Sequence, residues 1–212
     1  MAGRAILFVD GNNWYHSLRG LGLHNVAGLD YAALSRKLVG PSEWLGTRYY
    51  IGQVRQVGDT RLYADQRRFL ASLRASDRRI SCHLGRIEPR TVKDQTAAEL
   101  LQYLSHLPAR LDADVFHNLL ALAHRHQRAT VMVEKAVDVM LAVDMVVMAE
   151  RDEFDAAYLL SADGDFTHAV GAVRSAGKRV YVASPSSGAQ LASVANAFIR
   201  LHPGWFDDCY KP

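Results

Sequence analysis

From Ala136 to Ala149 every residue is apolar except Asp138 and Asp144. A helix that is apolar all round belongs in a protein interior, so a helix over Lys135–Glu150 is expected to be covered on every side. Ionised carboxylates in such surroundings are costly unless paired, hydrogen-bonded or bound to a cation. The two aspartates are six residues apart, about 240° around a helix, so they need not share a partner. Asp138, near the N-terminal turn, is the candidate ligand. Asp144 is deeper and is expected to hold Lys135 or a backbone group.

The rest of the chain alternates strand and helix signals. Arg4–Val9 is a short apolar run ending in Asp-Gly-Asn-Asn and reads as a buried, central strand followed by a loop. Asn13–Arg19 reads as a short helix, and Asp30 caps an amphipathic one in which Leu34 and Leu38 lie one turn apart. A strand at Thr47–Val54, a helix at Arg61–Ser76 and a strand at Arg79–Ile87 continue the pattern. Such βαβα order predicts a parallel sheet covered by helices. Residues 88–130 break it, with helices at Thr96–Leu107 and Asp112–His126 separated by Pro108, and are read as a helical hairpin inserted into a single domain spanning 1–212. Beyond Glu150 follow a strand at Ala156–Ser161, a helix at Phe166–Ser175, a strand at Arg179–Ala183, a helix at Ala189–Phe198 and an edge strand at Phe198–Leu201.

Charge is segregated along the chain. Residues 48–93 carry eleven basic and four acidic side chains, whereas 138–165 carry eight acidic and one basic. A basic arm beside an acidic centre suits a metal-dependent enzyme acting on a polyanion, although both stretches would also serve as solvated helix faces. Cys82 and Cys209 are too few and too distant for a zinc cluster or disulfide framework, which suggests a reducing compartment. Neither a signal-peptide core nor an apolar run of about 18 residues occurs, so the chain is read as soluble and cytoplasmic, with no membrane association.

The ends of parallel strands face the ligand crevice in open α/β sheets. Asp10 closes the first strand, and Asp163 and Asp165 follow the strand ending at Ser161. Each aspartate also has a local explanation: Asp165 as a helix cap, Asp138 as a favourable charge at a helix N-terminus, Asp10 with Gly11 and Asn12 as a turn. Together they form a carboxylate cluster that would repel itself without a cation, and hard oxygen donors select Mg²⁺ or Mn²⁺ over zinc. His124 and His126 point apart on their helix, and no Walker-type phosphate loop is present. His168, one turn after Asp165, is read as a surface residue with a phosphate contact as the alternative.

Phe8-Val9-Asp10-Gly11-Asn12-Asn13, Lys135–Val139 with Leu141–Met145, and Leu160–Phe166 followed by Gly177-Lys178-Arg179-Val180 together resemble the NYN domain family, a branch of the PIN-like nucleases, in its bacterial LabA-like form. The resemblance runs in order from about residue 5 to about 200. It implies a three-layer PIN-like α/β fold, with a central parallel twisted sheet flanked by helices. It further implies a Mg²⁺- or Mn²⁺-dependent ribonuclease hydrolysing RNA phosphodiesters at an aspartate cluster on the C-terminal edge of the sheet. Matched by motif, Asp10, Asp138, Asp163 and Asp165 would hold metal, and Asn13 would position a ligand or the scissile phosphate. Asp144 and Lys135 would support them. Ala136 and Ala162 stand where the family often has Gly, and His168 where Pro is common.

On that reading Arg61, Arg67, Arg68 and Arg74 guide the RNA through phosphate contacts, with Tyr49, Tyr50 or Trp14 as stacking surfaces. Two other functions fit a similar frame: an RNA-binding or regulatory module with little catalysis, and a small-molecule phosphohydrolase. The apolar tail and the insertion are compatible with a homodimer.

Overall fold

The computed structural model describes residues 3–54, 60–106, 112–126 and 128–210. Leu107 and Pro108, at the expected break in the insertion, lie outside the described residues, as do Arg55 and Asp59 of the basic stretch.

The chain divides into two units, Met1–Arg86 with Lys135–Pro212, and Ile87–Glu134. In the first, β1 (Arg4–Asp10) runs into α1 (Gly11–Gly20), then α2 (Tyr31–Val39), β2 (Glu43–Gln53), α3 (Thr60–Ser76) and β3, which begins at Ile80 and continues to Lys93 in the second unit. The second unit goes on through α4 (Gln95–Ser105), α5 (Ala113–His126) and β4 (Arg128–Lys135). The first unit resumes with α6 (Val137–Glu150), β5 (Ala156–Leu160), α7 (Thr167–Ser175), β6 (Arg179–Ser184), α8 (Ala189–Val194) and β7 (Ala197–Arg200). One sheet carries all seven strands in the order β4-β3-β2-β1-β5-β6-β7. β1 pairs in parallel with β2 and β5, β2 with β3, β5 with β6 and β6 with β7.

β1 is central because its apolar run serves both faces. Ala5, Leu7 and Val9 join one core with Trp14, Leu34 and Tyr49, while Ile6 and Phe8 join the other with Leu141, Met145 and Val170. Helices α1, α2 and α3 cover the first face and α6, α7 and α8 the second, giving three layers. Asp30 caps α2 by accepting from the Ala32 and Ala33 amides at 2.9 and 3.2 Å, as its position predicted.

Several boundaries differ from the sequence reading. β2 begins at Glu43 because Trp44 is buried beneath the Arg79 guanidinium, 4.1 Å from its ring, although Pro41-Ser42 resembles a turn. The segment read only as a helical hairpin also contains strand, since β3 runs to Lys93 and Arg128–Lys135 forms β4. Lys135 therefore ends a strand instead of opening a helix. α8 stops at Val194, and Phe198 belongs to β7.

The largest correction concerns α6. Val137, Leu141, Met145 and Ala149 are buried, but Val139, Val143 and Val147 are 66%, 52% and 36% exposed. Apolar composition on every side left the buried face unmarked, and only a stripe at four-residue spacing meets the sheet.

Within the second unit, α4 and α5 pack on each other around Ala97 and Ala123. Between them lies a cavity of about 230 Å³ lined by Asp94, Leu100, Leu122 and His126, among others. No described helix is long and apolar enough to cross a membrane.

Candidate functional site

The strand order reverses between β1 and β5: the chain winds outward through β2 and β3 on one side and through β6 and β7 on the other. Connections leave the two central strands in opposite directions there, so a crevice opens at their carboxyl ends. Asp10 ends β1 and Ser161 follows β5, and the two are joined directly: Ser161 Oγ donates to Asp10 Oδ2 at 2.9 Å. Asp10 is 3% exposed, and its Oδ1 accepts the Asn13 amide at 3.2 Å, capping α1. Gly11 is required at this junction, because a Cβ there would stand 2.6 Å from the Tyr50 carbonyl oxygen and 2.6 Å from the Tyr49 ring.

Asn13 closes the network by accepting the Ala162 amide on Oδ1 at 3.0 Å. The Asp163 amide donates to Ser161 Oγ at 3.1 Å, while the Asp163 carboxylate accepts the Asp165 amide at 3.0 Å and caps the short 3₁₀ turn Gly164–Phe166. Asp163, rather than Asp165, is thus the capping residue of this loop.

Asp138 approaches from the other layer, in the first turn of α6. Its carboxyl is raised above its ordinary value, by partial burial first and then by the neighbouring charges of Asp163 and Asp165. These three acids therefore face one another electrostatically, and Asp10 is tied into the same loop through Ser161. Among the described residues no group of three or more His, Cys, Asp or Glu stands at metal-binding spacing.

Asp144 meets another partner than expected. It accepts Arg48 Nη2 and the Tyr50 hydroxyl, both at 2.7 Å, and Lys135 is exposed. Burial pushes the Asp144 carboxyl up, but those hydrogen bonds and the Arg48 charge hold it below its ordinary value. Arg61, Arg67, Arg68 and Arg74 are all exposed on α3. Their spacing sets Arg61 with Arg68 and Arg67 with Arg74 on faces about 120° apart. Arg68 pairs with Asp65, and Arg67 lies 5.8 Å over the Tyr63 ring. Trp14, Tyr49 and Tyr50 are at most 2% exposed and pack in the cores, so none offers a surface to a base. His168 is exposed beside Ala142 and Val143 in a groove between α6 and α7.

Sequence reasoning missed Ser161, Arg48 and His83, and gave Tyr50 a stacking role in place of its hydrogen bond to Asp144. The first had a signal: a hydroxyl ending an otherwise apolar strand beside two aspartates. Arg48 and Tyr50 alternate onto one face of β2, which the strand pattern alone could have shown.

The NYN domain profile matches residues 4–202. The chain belongs to the NYN domain family. NYN domains have a PIN-like fold and are generally nucleases. A crystal structure of a protein of unknown function from Vibrio parahaemolyticus is similar to this NYN domain, with a TM-score of 0.56 and 19% identity over 99% of this chain and 97% of that one. At that identity the likeness bears on the fold. No curated protein matches the sequence. In this NYN domain Ala136, just ahead of Asp138, has φ of 71°, a left-handed conformation that explains why glycine suits the position.

Proposed function

We propose that the protein is a divalent-metal-dependent ribonuclease of the LabA-like branch, a single NYN domain with an insertion at about 88–130, acting on RNA in the cytoplasm. The observation that carries this reading is the convergence of Asp138 from α6 with Asp163 and Asp165 from the β5 loop, beside a buried Asp10, at the strand-order reversal.

The donor set fits Mg²⁺ or Mn²⁺, since every candidate is a hard carboxylate oxygen. Mg²⁺ commonly keeps several waters and needs few direct protein ligands. Asp10, Asp138, Asp163 and Asp165 are the residues that would hold it. When bound, such an ion supplies charge neutralisation at phosphate and lowers the pKa of a water.

The chain's own residues do the rest. Asp10 and Asn13, fixed by Ser161 and the Ala162 amide, set the floor of the crevice. Asp138 brings a carboxyl that burial and the charges of Asp163 and Asp165 hold above its ordinary value. Arg61, at the N-terminal end of α3, would meet the RNA backbone, whereas Arg74 lies about four turns away along the same helix.

The second reading is an RNA-binding module with little catalysis, since no group of three or more acids stands at metal-binding spacing among the described residues. The test is cleavage of a labelled mixed RNA with Mg²⁺, Mn²⁺ or EDTA, beside Asp10→Asn and Asp163→Asn. Metal-dependent cleavage lost in both folded variants supports the nuclease. Retained salt-sensitive RNA binding without any cleavage supports the module, and hydrolysis of a chromogenic phosphomonoester with RNA untouched would point to a small-molecule phosphohydrolase.

A further inference from the structure

We propose that Arg48 and Tyr50, acting through Asp144, are positioning residues that fix the rotation and height of α6 and thereby hold Asp138 against Asp163 and Asp165. The functional part of this inference rests on the nuclease reading of those carboxylates.

The need for such an anchor follows from the helix itself. Between Val137 and Ala149 its residues other than Asp138 and Asp144 are Val, Met, Leu or Ala. Contacts among similar aliphatic side chains are tolerant of exchange, so packing alone discriminates weakly between neighbouring settings of the helix. At the N-terminus, Ala136 provides no side-chain cap. Among the described residues, Asp144 makes every side-chain hydrogen bond that α6 has.

That one anchor is directional. Arg48 Nη2 and the Tyr50 hydroxyl both donate to Asp144 Oδ2 at 2.7 Å, and Arg48 Nε donates to the Tyr50 oxygen at 2.8 Å, closing a three-residue ring. Tyr50 is held in turn by stacking against His83 at 4.7 Å and Phe8 at 6.5 Å, each with an interplanar angle of 20°. It is also the residue of β2 that pairs with Asp10. The anchor for α6 is therefore mounted beside the buried acid of the site, so one strand register locates both. A shift of α6 by one residue moves Asp144 about 1.5 Å and 100° and breaks both hydrogen bonds. Polar contacts inside apolar interfaces serve in this way to select one register among several.

The experiment uses the full chain and two variants. Arg48→Met with Asp144→Leu replaces the pair by apolar side chains and leaves no unpaired charge, so the fold is expected to survive. Methyl NMR of Leu141, Met145 and Val139 is expected to give single sharp signals in the parent and broadened or doubled signals in the folded double variant. Signals as sharp as the parent's, at the same shifts, overturn the proposal. If the double variant fails to fold, Tyr50→Phe decides by the same spectra, because it removes one of the two hydrogen bonds to Asp144.

Mn²⁺ is the probe for the functional part. Line broadening of Ala162 and Asp163 by Mn²⁺ is expected in the parent and should need about 10- to 100-fold more metal in the variant, with kcat falling and the KM for RNA unchanged. Absence of Mn²⁺ broadening in the parent overturns the metal-nuclease reading, while the methyl spectra still decide whether Asp144 sets the helix.

Discussion

Ser161 Oγ donates to Asp10 Oδ2 and accepts from the Asp163 amide, so one hydroxyl links the carboxyl ends of the two central strands. Removing it takes one partner from a carboxylate oxygen and one from an amide at once. Ser161→Ala is expected to lower unfolding free energy by about 1–3 kcal/mol, read from urea denaturation. An unchanged midpoint would show that the link does not hold the strand ends together.

Ala136→Gly should act in the opposite direction from a glycine placed inside a helix. The left-handed backbone at Ala136 strains any residue with a Cβ, and glycine relieves that strain at the cost of a more flexible unfolded chain. The expected net gain is about 0.5–1 kcal/mol, checked by the same denaturation curves. A loss would mean that the backbone relaxes out of this conformation.

Asp138 illustrates a conflict between stability and activity. Because its folded-state pKa is raised, the folded protein binds that proton more tightly than the unfolded chain, and ionisation works against folding as pH rises above the ordinary carboxylate range. Asp138→Asn is therefore expected to be more stable at pH 7 while losing metal-dependent cleavage. Calorimetry and the RNA assay on one preparation test both halves.

Acid sensitivity should arise far from the site. Hydrogen bonds from Arg79 hold the Asp77 carboxyl at about 2, and those from Arg4 hold Asp155 at about 2. Both values are depressed relative to the unfolded chain, so the stability they contribute is present above pH of about 4 and is lost as pH falls toward 2. Urea midpoints at pH 6, 4 and 3 should decline, and Asp155→Asn should flatten that decline.

Much of the frame was legible because it depends on local pattern. The apolar run before Asp10, the cap at Asp30 and the short apolar strand before Asp163 each announce an element and its end. β4 was hidden because Arg128–Lys135 lacks the flanking turn residues that mark a strand and runs straight into the apolar helix. The exposed valines of α6 were invisible because an aliphatic side chain looks the same in sequence on either face. Arg48 was missed for a related reason: its partner, Asp144, is 96 residues away. Pairings of that separation are made by the sheet, not by any spacing along the chain. The four arginines of α3 were grouped by charge alone, and helix geometry divides them between two faces.

Asp10 is both the last residue of β1 and the cap of α1, with no loop between them. Its backbone is held by a strand ladder on one side and a helix on the other, and both carboxylate oxygens already have partners. The rotamer freedom of this side chain is surrendered when the chain folds. A ligand reaching the crevice meets a carboxylate that does not have to reorient, and the entropy of binding should carry almost no contribution from ordering it.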